Sequence, residues 1–278
     1  MHLLPDRITA LPPRSIAGVL ALLLVLPTAL SASIPAEAQG CAAALGGELS
    51  GTEEQLDTSL DFLSWNIQKA SNEGWREDLR NFASDVHLAF IQEAAVQASI
   101  TGALPVRMHQ AFAAGYSTAK RETGVLTLSS GAPSLRCHLT AREPWLGTPK
   151  ATSITEHPIR GRQERLLAVN MHAVNFALGL QEFREQVHAL EVVMDNHRGP
   201  VIFAGDLNTW SAGRQALVDA FMHKHGLQPV AFAPDLRTTF FGNALDHVYV
   251  RGIRAGSARV APVSSSDHNA LLVRLEIL

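Results

Sequence analysis

The chain has 278 residues, and its 23 Lys and Arg residues against 26 Asp and Glu residues give a formal net charge of −3. A hydrophobic fraction of 46% with only 18% charged residues excludes a disordered chain, because such a sequence can bury enough apolar surface to offset the entropy of ordering. The charge balance excludes an architectural nucleic-acid binder, which needs a strong positive excess, but it leaves open a nuclease with a local groove and a metal.

Residues 1–38 have the pattern of a secretory signal peptide. Basic residues precede an unbroken apolar run at residues 16–26, and the small-x-small pattern Ala-Glu-Ala follows at residues 36–38. We therefore expect an exported protein, periplasmic or secreted, that begins at residue 39. Two alternatives stay open, an uncleaved membrane anchor and a lipoprotein attached at Cys41.

Residues 39–59 are rich in Gly, Ala, Ser and Glu, and this composition predicts a linker before a single domain at residues 60–278. Export makes a disulfide between Cys41 and Cys137 chemically possible. Nothing in the sequence brings these two cysteines together, so the pairing stays open.

Short apolar runs alternate with helical patterns along the predicted domain. Strands are predicted at residues 61–67, 86–91, 124–129, 134–140, 165–174, 201–204, 246–250 and 271–277. Helices are predicted at residues 75–82, along an apolar stripe at residues 180–198, and from a capping Ser211 to residue 226. Because several strands are apolar on both faces and helices fall between strands, we expect a layered α/β sandwich.

Polar clusters follow or end five of the apolar runs, where α/β proteins gather their ligands. Taken singly, Asp206 and Asn208 are ordinary turn residues, and His172 is as well explained as a core histidine. Taken together, the carboxylates and amides form an oxygen-rich set suited to Mg²⁺ or Mn²⁺. This set consists of Asn66, Glu93, Asp206, Asn208 and Asp267. Asp246 and His268 add an acid–imidazole pair fit for proton transfer.

The ordered motifs W-N-I-x-K, Q-E, N-x-H-x-x-N, G-D-L-N, L-D-H and S-D-H-N resemble the endonuclease/exonuclease/phosphatase superfamily across about residues 60–278. The runs around His172 and Lys150 look most like an exported bacterial branch of it. This resemblance implies a DNase I-like four-layer α/β sandwich, in which two packed mixed β-sheets are flanked by helices. It also implies a metal-dependent phosphoester hydrolase.

Carried over by position, the resemblance implies a role for each motif residue. Asn66, Glu93 and Asp267 would serve the metal, with Glu93 as a direct ligand. Asp206 and Asn208 would face the phosphate and the attacking water, and His268, oriented by Asp246, would be the general base or a phosphate-stabilising imidazole. A protonated His172 would assist the leaving oxygen. Phosphate or substrate contacts would come from Asn175, Lys69 and Lys150.

The substrate remains open between two classes. A nuclease or phosphodiesterase acting on nucleic acid is favoured, and it needs basic residues beside the site, for which the candidates are Lys69, Arg76, Lys150, Arg160, Arg162 and Arg165. A sphingomyelinase-like or small-molecule phosphoesterase is the alternative, and the adjacent pairs Phe240-Phe241 and Trp145-Leu146 are its candidate membrane contacts.

His247 stands where many nucleases of the family carry an aromatic residue, and the tyrosine of abasic-site endonucleases has no counterpart, which argues against abasic-site repair. A non-catalytic binding protein is the third hypothesis. We expect a monomer without a stable protein partner.

Overall fold

The computed structural model describes residues 34–49, 54–144, 146–175 and 179–278. The described part forms one compact unit that extends to Leu278. Residues 1–33, which carry most of the predicted signal peptide, lie outside the described residues, as does Trp145. Among the described residues, no helix is both long enough and apolar enough to cross a membrane.

Five helices and fourteen strands are assigned in the described residues. The helices are α1 (Ala36–Ala44), α2 (Trp75–Phe82), α3 (Gln181–His188), α4 (Glu191–Asn196) and α5 (Ala212–Lys224), with short 3-10 helices at Gln68–Ala70, Val96–Ala98 and Ile100–Ala103. The strands are β1 (Ser59–Asn66), β2 (Leu88–Ala95), β3 (His109–Ser117), β4 (Glu122–Ser129), β5 (Leu135–Arg142), β6 (Pro149–Pro158), β7 (Arg165–His172), β8 (Val201–Asp206), β9 (Gln228–Pro229), β10 (Thr239–Phe240), β11 (Asn243–Ala244), β12 (Asp246–Arg251), β13 (Ile253–Ala261) and β14 (Ala270–Ile277).

The strands form two six-stranded sheets and one small hairpin. The first sheet has the order β13-β14-β1-β2-β4-β3, the second has the order β5-β6-β7-β8-β12-β9, and β10 pairs with β11. Each large sheet contains one parallel pair, β1 with β2 and β7 with β8, among antiparallel neighbours. Both sheets are therefore mixed.

Alternating side chains along the strands build three apolar layers. Phe62 on β1 faces the second sheet in the central core, whereas the next residue, Leu63, faces outward toward α2. In the second sheet Ala168 faces the central core and Val169 packs against the helices on the outer face. This alternation gives two sheets packed face to face and covered by helices, so the predicted four-layer α/β sandwich is confirmed.

All eight predicted strands and the three predicted helical regions are present, but the structure has six further strands that were not predicted, namely β3, β6, β9, β10, β11 and β13. Strand β6 was missed because its buried residues include Thr152, Ser153 and Thr155, which the sequence pattern does not mark as core. The helix predicted across residues 180–198 is two helices, because the chain tightens where Leu190 N donates to the Val187 carbonyl.

The linker predicted at residues 39–59 is wrong for its first part, because α1 extends to Ala44 and packs on the domain. Ala38, Cys41 and Ala42 of α1 are buried in the outer core of the second sheet. Cys41 forms a disulfide with Cys137 of β5, with the two Cα atoms 5.9 Å apart. Small residues let this helix lie close to its neighbours, which explains why a composition typical of linkers occurs in a packed element.

We expect the disulfide to stabilise the domain because it closes a loop of 96 residues in the unfolded chain. A Cys41→Ser/Cys137→Ser variant should lose about 2–4 kcal/mol of unfolding free energy. Urea unfolding of both proteins with and without dithiothreitol measures this. The reductant should destabilise the wild type and leave the variant unchanged. Equal stability of the two oxidised proteins would contradict the expectation.

Candidate active site

Three strands of the second sheet bring acidic and imidazole side chains to one edge. His172 ends β7, Asp206 ends the parallel strand β8, and the two residues are register partners. Asp246 begins the antiparallel strand β12 and is paired with Asp206 on the other side. Because the ends of parallel strands and the start of an antiparallel one meet at a single edge, residues far apart in sequence become neighbours.

The first sheet contributes residues at its corresponding edge. Asn66 ends β1 and pairs with Gln92 on the parallel strand β2. The register of β2 against β4 shifts between Ile91 and Ala94, and Glu93 within this irregularity has a φ of 50°. A bulge of this kind re-aims a side chain out of the regular alternation, and here it turns Glu93 toward the site cavity described below.

The turn after β8 depends on two backbone conformations. Gly205 has a φ of 142°, and a Cβ added there would lie 2.0 Å from the Met171 carbonyl oxygen. Only glycine therefore allows β7 and β8 to approach at this point. Asn208 has a φ of 48°, a region that asparagine tolerates. Its backbone N–H donates to Asp206 Oδ1 at 3.1 Å and its side-chain amide donates to the Ala173 carbonyl at 3.0 Å.

Asp206, Asp246 and His268 form a buried cluster whose ligand atoms all lie within 4.8 Å of one another. His268 Nδ1 is 2.7 Å from Asp246 Oδ2, and His268 Nε2 is 3.8 Å from Asp206 Oδ2. Burial raises the pKa of Asp206 to about 6. Burial alone would lower the pKa of His268, but Asp246 and Asp206 outweigh it and raise that pKa to about 10.

Asn66 joins the two sheets at this cluster. Its side-chain amide donates to Asp206 Oδ2 at 2.9 Å, and its own oxygen accepts from Gln68 N. Ser266 donates to the Asn66 carbonyl at 2.6 Å, and this contact fixes the segment that carries Asp267 and His268. Asp267 itself is exposed, although its charge is close enough to help raise the pKa of His268.

His172 lies on the other side of Asp206, beside the partly buried Lys150. His172 Nε2 is 3.4 Å from Asp206 Oδ2 and 2.9 Å from Lys150 Nζ. An ammonium has only protons to donate, so the imidazole accepts this hydrogen bond and is neutral. Burial, followed by the charge of Lys150, lowers the pKa of His172 well below its ordinary value. The protonated His172 expected from the sequence is therefore not the form that these contacts favour.

A cavity of about 200 Å³ opens beside His172 and Lys150. Lys69 and Glu93 also line it, joined by a 2.5 Å contact between Lys69 Nζ and Glu93 Oε2. Tyr116, Gly115, Thr148 and Leu146 form much of the remaining wall.

The residues predicted for the metal are not grouped together by these contacts. Glu93 contacts Lys69, Asn66 contacts Asp206, and Asp267 lies on the exposed side of His268. Among the described residues, the ligand atoms close enough to share one metal ion belong instead to Asp206, Asp246 and His268, three residues to which the family resemblance gives catalytic roles.

Most of the basic residues expected beside the site are engaged elsewhere. Arg160 pairs with Asp57, Arg165 pairs with the buried Glu156, and Arg162 donates to the carbonyl groups of Ile277 and Leu278. Arg76 donates to the Ala98 carbonyl. Of the six candidates, Lys69 and Lys150 line the cavity.

Two buried residues beside the site were missed by sequence analysis. Glu143 accepts from Asn175 N at 3.0 Å and lies 3.8 Å from Lys150 Nζ. Arg214 donates to carbonyl groups on both site loops. Neither belongs to a recognisable motif, and a lone charged residue in a sequence gives no sign that it is buried.

His247, noted above as a departure from nuclease sequences, turns away from the cluster. Its Nε2 is 2.7 Å from Thr209 Oγ1 and its Nδ1 is 3.1 Å from Arg237 Nη1. Burial, then the charge of Arg237, lowers the pKa of His247 to about 4. It therefore acts as a neutral hydrogen-bonding residue that supports the loop after β8.

Comparison with known proteins gives one family. The sequence profile described as "Endonuclease/Exonuclease/phosphatase family" matches residues 63–268. A UPF0294 protein of Vibrio cholerae is 40% identical over 230 residues, covering 80% of each chain.

Solved structures agree in fold. An endonuclease/exonuclease/phosphatase from Bacteroides vulgatus has a TM-score of 0.60 at 15% identity, covering 79% of this chain and 99% of that one. A mannosyl-6-phosphatase of Bacteroides thetaiotaomicron has a TM-score of 0.56 at 18% identity, covering 78% of this chain and 99% of that one. At these identities the likeness concerns the fold.

The pKa of His268 predicts how the stability of the metal-free protein changes with pH. Its value is raised from 6.5 to about 10, so its contribution is complete below pH 6.5 and is lost as pH rises toward 10. We expect the free energy of unfolding in EDTA to fall across this window. Replacing His268→Gln should flatten that fall. Urea unfolding at several pH values measures it.

His225→Gln is the matched control, because His225 is also buried but lies at the far end of α5. This variant should keep the wild-type fall with pH. An equally steep fall in His268→Gln would mean that other groups cause the dependence.

Proposed function

The chain belongs to the endonuclease/exonuclease/phosphatase family, and we propose that it is a divalent-metal-dependent hydrolase of phosphodiester bonds. One observation carries the proposal: Asp206 is contacted by Asn66, His172 and the Asp246–His268 pair at a single edge of the two sheets. A binding protein needs no such constellation, whereas hydrolysis needs a base, an oriented imidazole and positive charge around one phosphoryl group.

The donor set fits a hard cation. Carboxylate oxygens dominate it, and burial raises the pKa of the Asp206 carboxyl to about 6, so a nearby cation would stabilise its charged form. We propose that Asp206, with Asn66 and Glu93 at the same edge of the two sheets, would hold Mg²⁺ or Mn²⁺, and that Asp267 would contribute from the neighbouring loop. Such an ion would polarise the phosphoryl group and stabilise the charge that develops on its oxygens.

Two residues can accept the proton of the attacking water, and the contacts favour Asp206. His268 is held as a cation between Asp246 and Asp206, so it is better placed to stabilise negative charge than to accept a proton. In the metal-free protein the pKa of Asp206 is about 6 and that of His268 is about 10, so Asp206 is the one of the two that is deprotonated at neutral pH. Asp246 accepts a hydrogen bond from Nδ1 of His268 and so fixes the orientation of the imidazolium.

Positive charge on the leaving-group side comes from Lys150 in this proposal. Its ammonium contacts His172, which is neutral, and both line the cavity with Lys69. Lys150 then stabilises the departing oxygen, while His172 and Asn175 orient the substrate.

The sequence favours nucleic acid as the substrate class, but one structural observation favours a lipid phosphodiester instead. Phe240 and Phe241 lie at the tip of the β10–β11 hairpin and are 53% and 79% exposed. The hairpin is attached to the site, because Thr209 Oγ1 donates to the Ala244 carbonyl and Thr238 Oγ1 to the Asp267 carbonyl. Two exposed aromatic rings at the edge of the site suit a lipid phosphodiester at a membrane surface. The mannosyl-6-phosphatase among the structural neighbours is compatible with a substrate that is not a nucleic acid.

Export is proposed for the cellular location. The Cys41–Cys137 disulfide supports this proposal because disulfides persist in oxidising compartments. A monomer that acts without a stable protein partner stays a prediction.

His268→Gln should reduce the hydrolysis of bis-p-nitrophenyl phosphate by about 10²–10³-fold while leaving the protein folded, because removal of one group that stabilises the developing negative charge costs that much. The purified protein is assayed with Mg²⁺, Mn²⁺ and Ca²⁺, and again with EDTA. His225→Gln is the control and should retain wild-type turnover. Hydrolysis that survives EDTA, or a His268→Gln protein as active as the control, would count against the proposal.

The substrate class is tested on sphingomyelin vesicles, plasmid DNA and RNA. A Phe240→Ser/Phe241→Ser variant should lose vesicle hydrolysis while keeping turnover of the soluble diester, because only the membrane step needs the exposed rings. Val106→Ser, which alters another half-exposed apolar residue, is the control. Activity on DNA or RNA that falls steeply with added salt, with no vesicle activity, would favour the nuclease instead.

A further inference from the structure

Arg214, on the first turns of α5, has a guanidinium group that is completely buried. The guanidinium carbon lies 4.8 Å from the centre of the Phe183 ring and 4.7 Å from the centre of the Trp210 ring. Burying a charged group costs free energy unless it forms hydrogen bonds. The hydrogen-bond partners of Arg214 therefore indicate which part of the structure it stabilises.

Those partners are backbone carbonyl groups on the two loops that follow β7 and β8. Arg214 donates to the carbonyls of Val174 at 2.6 Å and Asn175 at 3.0 Å, on the loop after His172. It also donates to the carbonyl of Asn208 at 3.1 Å, on the loop after Asp206. A single side chain thus ties together the two loops that carry the central residues of the site.

The held peptides are the ones that orient the site side chains. Asn208 is in a left-handed backbone conformation, and its backbone N–H donates to Asp206 Oδ1. Asn175 N donates to Glu143, whose carboxylate also lies 3.8 Å from Lys150 Nζ. Movement of these loops would therefore be transmitted to Asp206 on one side and to Lys150 on the other.

The geometry points to Arg214 as a positioning residue for the proposed hydrolysis: it fixes the loops after β7 and β8 so that Asp206, Asn208 and Asn175 face one substrate. This inference rests on the proposed function for its effect on turnover. Arg214 itself touches no reacting atom and acts through the three carbonyl groups that it binds.

Arg251 provides a matched control elsewhere in the fold. It also donates to three backbone carbonyl groups, those of His197, Gly199 and His225. It ends β12, whereas Asp246 begins that strand, so its contacts lie at the opposite end of the sheet from the site. Its loss removes the same kind of interaction without reaching Asp206.

The test compares Arg214→Met, Arg214→Lys and Arg251→Met. Turnover of bis-p-nitrophenyl phosphate is measured per folded molecule, and hydrogen exchange is followed in residues 170–175 and 206–210. We expect Arg214→Met to lower kcat about 10²-fold, as small misplacements of catalytic groups do, with KM much less affected. Arg214→Lys keeps the charge and part of the donor set and should recover some of the loss. Exchange should accelerate in both loops in the Arg214 variants and stay unchanged in Arg251→Met.

A kcat for Arg214→Met no lower than that of Arg251→Met, or unchanged exchange in the two loops, would overturn the inference. Failure of both Arg214 variants to fold, while Arg251→Met folds, would also overturn it by making the role of Arg214 purely structural. If the wild type hydrolyses no phosphodiester with any metal, the proposed function fails instead, and the exchange measurement alone decides whether Arg214 ties the loops.

Discussion

The backbone pairing of β8 with β7 on one side and β12 on the other determines where the chemistry of this protein occurs. His172, Asp206 and Asp246 are register partners across three adjacent strands, so their Cα positions are fixed by ladder hydrogen bonds. A shift of one residue in this register would turn each side chain to the opposite face of the sheet. The sheet therefore fixes the backbone positions of these three residues, and the loops after β7 and β8 orient the side chains around them.

Charge compensation is the second constraint on the site. Burying Asp206 and Asp246 without partners would be strongly unfavourable, and each is placed against a hydrogen-bond donor. Asp246 is matched by His268, whereas Asp206 receives an amide proton from Asn66 and lies within 4 Å of two imidazoles. Burial still raises the pKa of Asp206 to about 6, so a cation bound beside this carboxylate would stabilise its charged form.

The sequence predicts the strands that carry the site because their cores are apolar and their ends are polar. The strand ending at His172 and the turn after Gly205 are both visible in this way, and the glycine has a steric reason, since a Cβ would meet the Met171 carbonyl. Strand β6 is not visible, because Ser153 is buried and satisfied by a hydrogen bond from Thr127 on the other sheet. Likewise, the pairing of Cys41 with Cys137 and the burial of Arg214 are products of tertiary packing, which no local pattern encodes.

The contacts of the basic residues constrain which substrate this site can hold. A polymeric nucleic acid is bound largely through several phosphate contacts, each made by a lysine or arginine that is free to receive it. Here Arg160 and Arg165 are committed to carboxylates, and the two lysines at the cavity are shared with Glu93 and His172. The positive charge that lines the cavity therefore comes from Lys69 and Lys150, which suits one phosphoryl group. For the lipid substrate class considered above, further binding energy would come from apolar contact with Phe240 and Phe241, the exposed aromatic pair on the neighbouring hairpin.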